Sequence, residues 1–364
     1  PARSLTVDLS FDLSGSKLVL PIPIRHFQCL QSYRTAFILH LSSISDSNAL
    51  QEPSLLCLAF IRFLLAREAF SRDSIAAVLR AFDTEFLHGD NDIHCLITEL
   101  TTVASERQKW LRIYYDAVEA SDYSTLAPSR SSFRRSALFD HVLAGEFRLM
   151  AVFGGQGEAS RTCVQELADL YATYRSLVRS FIEQSATLLS ELSRLPDSWF
   201  SRRGQSLDLM SWISDASTIP ECEYMAQAPI SVPVIGLVSL ARYMVTCRVL
   251  HMHPGQLRGL LSATTGHSQG LLASTVISMS DSWDTFNANS HFAVEALFWL
   301  GVECHQSAPN SSSRLSASAS SETNAVPSYM LGVRSVPGDQ LECILGRLNR
   351  TLPPNEKVQI ALAN

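Results

Sequence analysis

The chain has 364 residues, 46% of them apolar, and a formal net charge of −6 at pH 7. This composition can bury a sizeable core in one large domain or in two to three smaller ones. Its 29 basic residues stand singly or in pairs and form no basic run, which argues against a nucleic-acid-binding protein.

The first residues, PARSLTVDLSFDLSG, lack the basic start and the apolar block of a signal peptide. The longest apolar stretches are interrupted by arginines, so no membrane span is expected and the chain is predicted to be soluble and cytoplasmic. The eight cysteines form no C-x-x-C pair, and several lie in apolar runs such as SLLCLAF and MVTCRVL, as buried free thiols do. Because the sequence does not begin with Met, we expect it to be part of a longer protein.

From Leu18 to about Ala127 the apolar residues recur at helical spacing, with turn-like breaks at QEPS and HGDND. This pattern predicts a helical N-terminal region. The polar segment APSRSSFRRS follows it and separates it from the next part of the chain.

A short apolar run, Leu149 to Phe153, comes next and leads directly into the glycine-rich loop FGGQG. Such a run is typical of a buried parallel strand, and parallel strands imply covering helices. Helical patterns fill the stretches from Cys163 to Leu195 and from Val234 to Leu250, the second apolar on nearly all faces. These features predict the α/β class.

The segment TTGHSQGLLAS places Ser268 between two glycines, Gly266 and Gly270, in a G-x-S-x-G pattern. A serine in this pattern sits on a cramped strand-to-helix turn, where side chains at the glycine positions would collide with neighbouring backbone. The run GLLASTVIS predicts a helix, so the N–H of Gln269 would lie at a helix N-terminus, which favours an anion.

The FGGQG loop supplies three more glycines, Gly154, Gly155 and Gly157, and the backbone N–H of Gln156. A serine nucleophile needs donors that hold the developing oxyanion. Two such loops that converge on one site predict acyl-transfer chemistry. The side chains of the two glutamines could instead only hold the loops together.

The C-terminal part begins with a Ser-rich segment, Ala308 to Pro327, which indicates an exposed linker. A strand (Tyr329 to Val336), a helix (DQLECILGRLNR) and a second strand (KVQIALAN) are predicted after it. This unit would leave sheet edges and an apolar helix face uncovered, so we expect a truncated small subdomain.

FGGQG and TGHSQG together resemble the acyltransferase domain at the N-terminus of the fungal fatty acid synthase β subunit, within the wider malonyl/acetyl-CoA:acyl-carrier-protein transacylase family. Ordered segments agree along the chain: GDNDIHCL, LADLYATYRSLV, PISVPVIGLVSLARYMVT, PGQLRGLLSATTGHSQGL and DSWDTF. The resemblance implies a helical region at 1–127, an α/β-hydrolase-like transacylase core with a parallel sheet at 128–327, and the first half of a ferredoxin-like subdomain at 328–364.

The resemblance also implies roles. Ser268 would take an acyl group from acyl-CoA and pass it to the phosphopantetheine thiol of an acyl carrier protein, with the N–H groups of Gln156 and Gln269 as the oxyanion hole. No bound cofactor and no metal are implied. The expected partners are the carrier protein, the rest of the β subunit and the α subunit of a large hetero-oligomer.

Two departures from the family pattern matter. Malonyl-selective relatives carry an arginine in the helix after the nucleophile, and Leu300 stands at that position, which favours a neutral acyl group such as acetyl. The family's catalytic histidine follows the ferredoxin-like subdomain and has no counterpart here, so this fragment alone is expected to be catalytically incomplete. His267 more readily braces the loop than deprotonates its neighbour Ser268.

Other interpretations stay open. A free-standing α/β hydrolase would need a triad histidine and acid within the chain and a strand directly before Gly266, and LRGLLSATT is a weak strand sequence. A non-catalytic fragment of a synthase would explain the missing histidine. The starter-unit transacylases of fungal polyketide synthases are related, but generally carry cysteine where this chain has Ser268. His251 and His253 could suggest a metal, but they lack further ligands and stand at a helix end.

Overall fold

The computed structural model describes residues 5–13, 16–42, 51–67, 71–87, 92–121, 137–155, 160–196, 198–201, 206–307, 333, 335–353, 357–358 and 360. The chain forms two compact units, Pro1–Gly301 and Val302–Asn364.

The first unit begins with an antiparallel hairpin of β1 (Thr6–Leu13) and β2 (Ser16–Pro23). The expectation that helix starts near Leu18 is therefore wrong, because the helical region begins at Ile24. Alternate residues of both strands, among them Phe11 and Leu20, are buried, as in a sheet with one face on a core. Pro21 and Pro23 also disfavour a helix here, since proline lacks the N–H that a helix interior needs.

Five helices follow and confirm the helical region from Ile24 onward: α1 (Ile24–Ser42), α2 (Pro53–Leu65), α3 (Arg72–Phe86), α4 (Ile93–Leu100) and α5 (Ala104–Ala120). They share one hydrophobic core with the hairpin. At its centre the ring of Phe11 lies 5.0 Å from that of Phe60, and Phe37 lies 5.3 Å from Phe60. Edge-to-face and tilted aromatic contacts of this kind stabilise the core beyond the effect of the area that they bury.

From Ala137 to Ser307 the chain alternates helices with two strands, and the last of these helices runs past Gly301. In chain order these are α6 (Ala137–Leu143), β3 (Leu149–Phe153), α7 (Ser160–Thr173), α8 (Arg175–Ser193), α9 (Leu209–Ser214), a 3₁₀ turn (Ala216–Thr218), α10 (Cys222–Met225), α11 (Ala228–Val249), α12 (Pro254–Gly259), β4 (Leu261–Gly266), α13 (Gly270–Met279) and α14 (Trp283–Ser307). The predicted strand at Leu149 to Phe153 and the predicted helices at 163–195, 234–250 and after Ser268 are confirmed.

Helix α11 is buried on nearly all sides, as its sequence predicts. Its length and its mean hydropathy of 1.6 would suit a membrane span, but 89% of its most apolar window is buried within the fold. The two cysteines singled out for their apolar neighbours, Cys57 and Cys247, are buried and free, whereas Cys29, Cys95, Cys222, Cys304 and Cys343 are exposed.

Strands β3 and β4 pair in parallel and form a two-stranded sheet. One face of this sheet is open: Met150 is 58% exposed and Val152 65% exposed. The described chain is thus mostly helical with a small parallel sheet, which is compatible with the α/β class.

In the second unit the predicted helix is confirmed as α15 (Gly338–Thr351). The amide of Asn349 makes two hydrogen bonds to the backbone of Val358: its Nδ2 donates to the carbonyl at 2.8 Å and its Oδ1 accepts from the N–H at 2.7 Å. The Ser-rich segment lies outside the described residues. The two predicted strands are described only at residues 333, 335–336, 357–358 and 360, which are in neither helix nor strand.

Candidate active site

The two glycine-rich bends leave the same end of the parallel sheet. Phe153, the last residue of β3, pairs with Gly266, the last residue of β4. The N–H of His267 donates to the carbonyl of Phe153 at 2.9 Å and so continues the pairing one residue into the bend. Because the strands are parallel, both segments turn away at the carboxyl end of the sheet, which is where ligands bind in open α/β sheets.

Strand β4 corrects the weak strand prediction for LRGLLSATT. The segment Leu261–Gly266 is a strand because it pairs with β3, with a register shift that leaves Ser262 without a partner residue on β3; local propensity does not record such a long-range contact. Thr264 Oγ1 also lies 2.7 Å from Ser278 Oγ on α13, which ties the strand to the helix after the bend.

Ser268 occupies a sharp strand-to-helix turn. Its φ is 52°, in the left-handed region that costs a side-chain-bearing residue roughly 1–2 kcal/mol. The turn is closed by the N–H of Gly270, which donates to the His267 carbonyl at 2.9 Å, and by the N–H of Leu271, which donates to the Ser268 carbonyl at 3.0 Å. This geometry is the one expected of a nucleophile elbow, and it leaves Ser268 exposed.

Both elbow glycines are required by close backbone approach. A Cβ at Gly266 would overlap the carbonyl group of Gly270, and a Cβ at Gly270 would overlap the Phe153 carbonyl and lie 2.7 Å from that of Gly154. The start of α13 is therefore packed directly against the end of β3. Gly154 itself has open space around its Cβ position.

The FGGQG loop reaches the serine. A Cβ built at Gly155 would lie 2.9 Å from His267 Nδ1 and 3.1 Å from Ser268 Cβ. The two bends therefore meet in space, which is the juxtaposition that the oxyanion-hole hypothesis needs. Gln156 and Gly157 lie outside the described residues, so the position of the Gln156 N–H stays a prediction.

The Gln269 N–H is available to an anion. Gln269 is the N-cap residue of α13, and among the described residues its N–H donates no hydrogen bond. The first turn of α13 carries no acidic side chain that would offset the positive end of the helix dipole. A group with negative charge beside Ser268 would thus meet an unused donor at a helix N-terminus.

The side chain of Gln269 is a feature that the sequence did not reveal. It is 4% exposed, and both its Oε1 and its Nε2 are enclosed without a hydrogen-bond partner. The suggested bond between the two loops through this carboxamide is therefore not made by the described residues. An enclosed polar group without a partner costs about 1–3 kcal/mol.

No described imidazole reaches the serine as a base. The Ser268 hydroxyl makes no hydrogen bond to any described residue, and His267 is exposed beside it. His251 follows the end of α11 with a φ of 54°, and His253 is the N-cap of α12, where its N–H donates to Gln256 Oε1 at 2.7 Å. Their place at helix ends agrees with the structural interpretation, and no group of three or more metal-ligating side chains occurs in the described part of the chain.

A serine–histidine contact does occur elsewhere, in the N-terminal core. His26 Nδ1 lies 3.2 Å from Ser74 Oγ, and His26 Nε2 accepts a hydrogen bond from Arg25 Nε at 2.9 Å. Because Nε2 accepts, Nδ1 carries the proton and cannot act as a base toward Ser74. Burial lowers the pKa of His26, and Arg25 lowers it further. This pair is a packing feature.

Leu300 lies on α14 and is 41% exposed. No arginine occurs in Trp283–Ser307.

Next to the first glycine bend, a cavity of about 230 Å³ is lined by Phe153, Gly154, Arg242, Tyr243 and three neighbours. The Arg242 guanidinium in this cavity is ion-paired with Glu166.

Comparison with known proteins places both bends in one family region. Residues 151–364 match the family described as "Starter unit:ACP transacylase in aflatoxin biosynthesis". The chain is 41% identical over 359 residues to fatty acid synthase beta subunit pkiC of Emericella nidulans. The aligned region is 99% of this chain and 19% of the relative. It is 38% identical to fatty acid synthase beta subunit pigK of Monascus ruber, over 98% of this chain and 17% of the relative.

A third relative, the fatty acid synthase subunit beta of Saccharomyces cerevisiae, is 36% identical over 79% of this chain and 14% of its own length. The chain thus spans less than one fifth of the length of these relatives.

Proposed function

The chain belongs to the starter unit:ACP transacylase family, and from that premise we propose that it moves an acyl group from acyl-CoA to the phosphopantetheine thiol of an acyl carrier protein through an ester on Ser268. The observation that carries this proposal is the meeting of the two glycine bends at a serine with positive φ.

In the first half-reaction the Ser268 hydroxyl attacks the thioester carbonyl. The new serine O–C bond forms, the C–S bond breaks, and the serine proton goes by way of a general base to the leaving CoA thiolate. In the second half-reaction the carrier thiol gives its proton to the base and attacks the ester carbonyl. The new C–S bond forms, the serine O–C bond breaks, and the base returns the proton to the serine oxygen. The base would be the histidine of the family pattern, to which no histidine of this chain corresponds.

Stabilisation of the tetrahedral intermediate falls to backbone donors. The free N–H of Gln269, at the N-terminus of α13, supports one half of the oxyanion hole. The Gln156 N–H would supply the other half, and the approach of Gly155 to Ser268 supports that assignment. Loss of one such donor typically lowers kcat by about 10²–10³-fold.

The acyl group is proposed to be neutral, with acetyl as the simplest case. A free substrate carboxylate needs a cation, and α14 offers Leu300 and no arginine. If Leu300 lines the acyl pocket, as the family pattern implies, an unpaired carboxylate buried there would be costly, which disfavours malonyl.

The names of the relatives support a wider proposal. The chain would be the starter-loading domain of a cytoplasmic fungal fatty acid synthase β subunit, working with its carrier protein and the α subunit. Its small parallel sheet would belong to a larger α/β-hydrolase-like core, since Met150 and Val152 leave one face open. Helix α15, with Ile344 and Leu348 exposed, would belong to the first half of a ferredoxin-like subdomain.

A hydrolase is the second candidate, and strand β4 directly before Gly266 favours it because a hydrolase elbow follows a strand. The family membership favours transfer. The difference between them is the acceptor of the acyl group, which is a thiol in one case and water in the other.

The test is run on the 364-residue chain and on a longer chain that includes the residues after Asn364. Each is given equal concentrations of acetyl-, malonyl- and hexanoyl-CoA together with a phosphopantetheinylated carrier protein, and the acyl group is followed by mass spectrometry. With the longer chain, which would supply the histidine of the family pattern, we expect acetyl on the carrier, in a reaction abolished by Ser268→Ala. Malonyl transfer at the same rate would overturn the argument from Leu300. Release of free acid without carrier loading would establish the hydrolase.

A further inference from the structure

The carboxamide of Gln269 stands out among the buried polar groups of the first unit. It is enclosed, it has no hydrogen-bond partner, and it belongs to the residue that directly follows the exposed Ser268. Its backbone N–H already has a proposed role in the oxyanion hole, but that role needs no amide in the side chain.

A carboxamide presents a carbonyl acceptor and two N–H donors. When such a group is satisfied in the resting protein, it must break a bond before it can bind a ligand. The Gln269 carboxamide breaks none, so any partner that reaches it is gained at full value. Its side chain has rotatable bonds enough to turn the amide from the interior to the surface beside Ser268.

We propose that the Gln269 carboxamide recognises an amide of the pantetheine arm that carries the acyl group, an inference that rests on the proposed transfer through Ser268. A trans secondary amide presents its N–H and its C=O on opposite sides, so the carboxamide can pair with one of them: its Oε1 accepts from the N–H or its Nε2 donates to the C=O. The arm ends in the thioester that Ser268 attacks, and its nearest amide lies a few bonds from the sulfur. Gln269 is then a specificity-determining residue for the thiol carrier, whatever the acyl chain.

A purely structural role predicts a different outcome on substitution. If the carboxamide only braced the fold, Gln269→Met would remove hydrogen bonds and destabilise the protein. Because the enclosed amide makes none, methionine, which has nearly the same length and no polar atoms, should leave the unfolding temperature unchanged or raise it. A lowered unfolding temperature would therefore contradict the proposal.

Binding is measured in a Ser268→Ala background, so that no chemistry is required, with Gln269→Met as the test variant and Gln184→Met as the control. Gln184 is an exposed glutamine on α8 whose Nε2 donates to Ser180 Oγ at 3.1 Å. The ligands are S-acetyl-N-acetylcysteamine, which retains the amide nearest the sulfur, and ethyl thioacetate, which has no amide. Ligand-observed NMR suits such weak binders.

Gln269→Met should weaken binding of the amide-bearing thioester about tenfold, the equivalent of one good hydrogen bond, and change that of ethyl thioacetate less than about twofold. Gln184→Met should change neither. An equal loss for both thioesters, no loss for either, or no binding of the amide-bearing thioester before substitution would each overturn the proposal. Failure of the proposed function is seen separately, as absence of acyl transfer by the longer chain, which includes the residues after Asn364, with Ser268 intact.

Discussion

Ser268 and its glycine neighbours concentrate the strain and the close contacts of this site in a few residues. Ser268 holds a positive φ, and Gly266, Gly270 and Gly155 leave no room for a Cβ. Such costs persist only where the surrounding structure imposes them, and they cluster at functional sites. The backbone around the serine is thus set by packing between the two bends.

Gly266→Ala should destabilise the fold, because its methyl group would overlap the backbone of Gly270. Overpacking against backbone costs about 1–3 kcal/mol or more. Gly154→Ala is the matched control, since nothing lies near its Cβ position, and it should change the free energy of unfolding by less than about 0.5 kcal/mol. Urea denaturation of the two variants measures the difference. Equal stability of the two would refute the close approach.

Replacing Ser268 should separate strain from chemistry. Alanine keeps the cost of the positive φ, whereas glycine removes it, so Ser268→Gly should be about 1 kcal/mol more stable than Ser268→Ala. Both variants should lose acylation. The midpoints of chemical denaturation give the comparison, and a more stable alanine variant would show that the serine is not held in a strained conformation.

His26 should make stability depend on pH. Burial lowers its pKa below the ordinary 6.5, so between the two values the unfolded chain binds more protons than the folded one. The stabilising contribution of the neutral His26 to the free energy of unfolding is complete above about pH 6.5. It is lost as the pH falls below that value toward the lowered pKa of the folded state. Thermal unfolding across this range in wild type and His26→Gln should show a weaker acid dependence in the variant, and an unchanged dependence would contradict the assignment.

At the residue scale, the sequence predicts the residues that the local backbone geometry of the elbow requires. It does not predict the surroundings of a side chain, which long-range packing determines. Gly266, Gly270 and Ser268 could be predicted because only certain residues tolerate a cramped elbow. The enclosed carboxamide of Gln269 could not, because nothing in a local pattern shows which long-range neighbours surround a polar side chain.

At the scale of elements, the N-terminal hairpin shows how local periodicity misleads. The alternation of apolar residues in TVDLSFDL is a strand signal, and the prolines of SKLVLPIP disfavour a helix, yet the helical pattern after them is stronger. The same limit applies to β4, whose sequence LSATTG forms a strand because β3 lies beside it. Strands depend on their partners more than helices do.

Phe11→Ala should test the contribution of the hairpin to the core. Phe11 is fully buried and packs against Phe60 and Phe37, so its loss should lower the free energy of unfolding by about 3–5 kcal/mol. The neighbouring Asp12 faces solvent, and Asp12→Ala should cost less than about 0.5 kcal/mol. Chemical denaturation measures both variants. A small effect of Phe11→Ala would mean that the helices hold their core without the hairpin.

At the scale of the whole molecule, the described chain has the small parallel sheet and the surrounding helices that the sequence indicated. Its α/β class could be predicted from one apolar run that ends in glycines, since that combination implies a parallel strand. The hydrolase-like and ferredoxin-like architectures depend on strands that the described residues do not contain. The chain spans less than one fifth of the relatives it matches, so the activity of the complete protein is argued from its elbow and its family.

The most direct test of the account is where acetyl from acetyl-CoA becomes attached. A longer chain that includes the residues after Asn364, and that would supply the histidine of the family pattern, is incubated briefly with acetyl-CoA at neutral pH, quenched in acid, digested and mapped by mass spectrometry. Ser262→Ala, at an exposed serine of the adjoining strand, serves as the control. The account predicts an acetyl ester on Ser268 in wild type and in the control, and none in Ser268→Ala; acetylation that is spread over other residues, or that survives in Ser268→Ala, would contradict it.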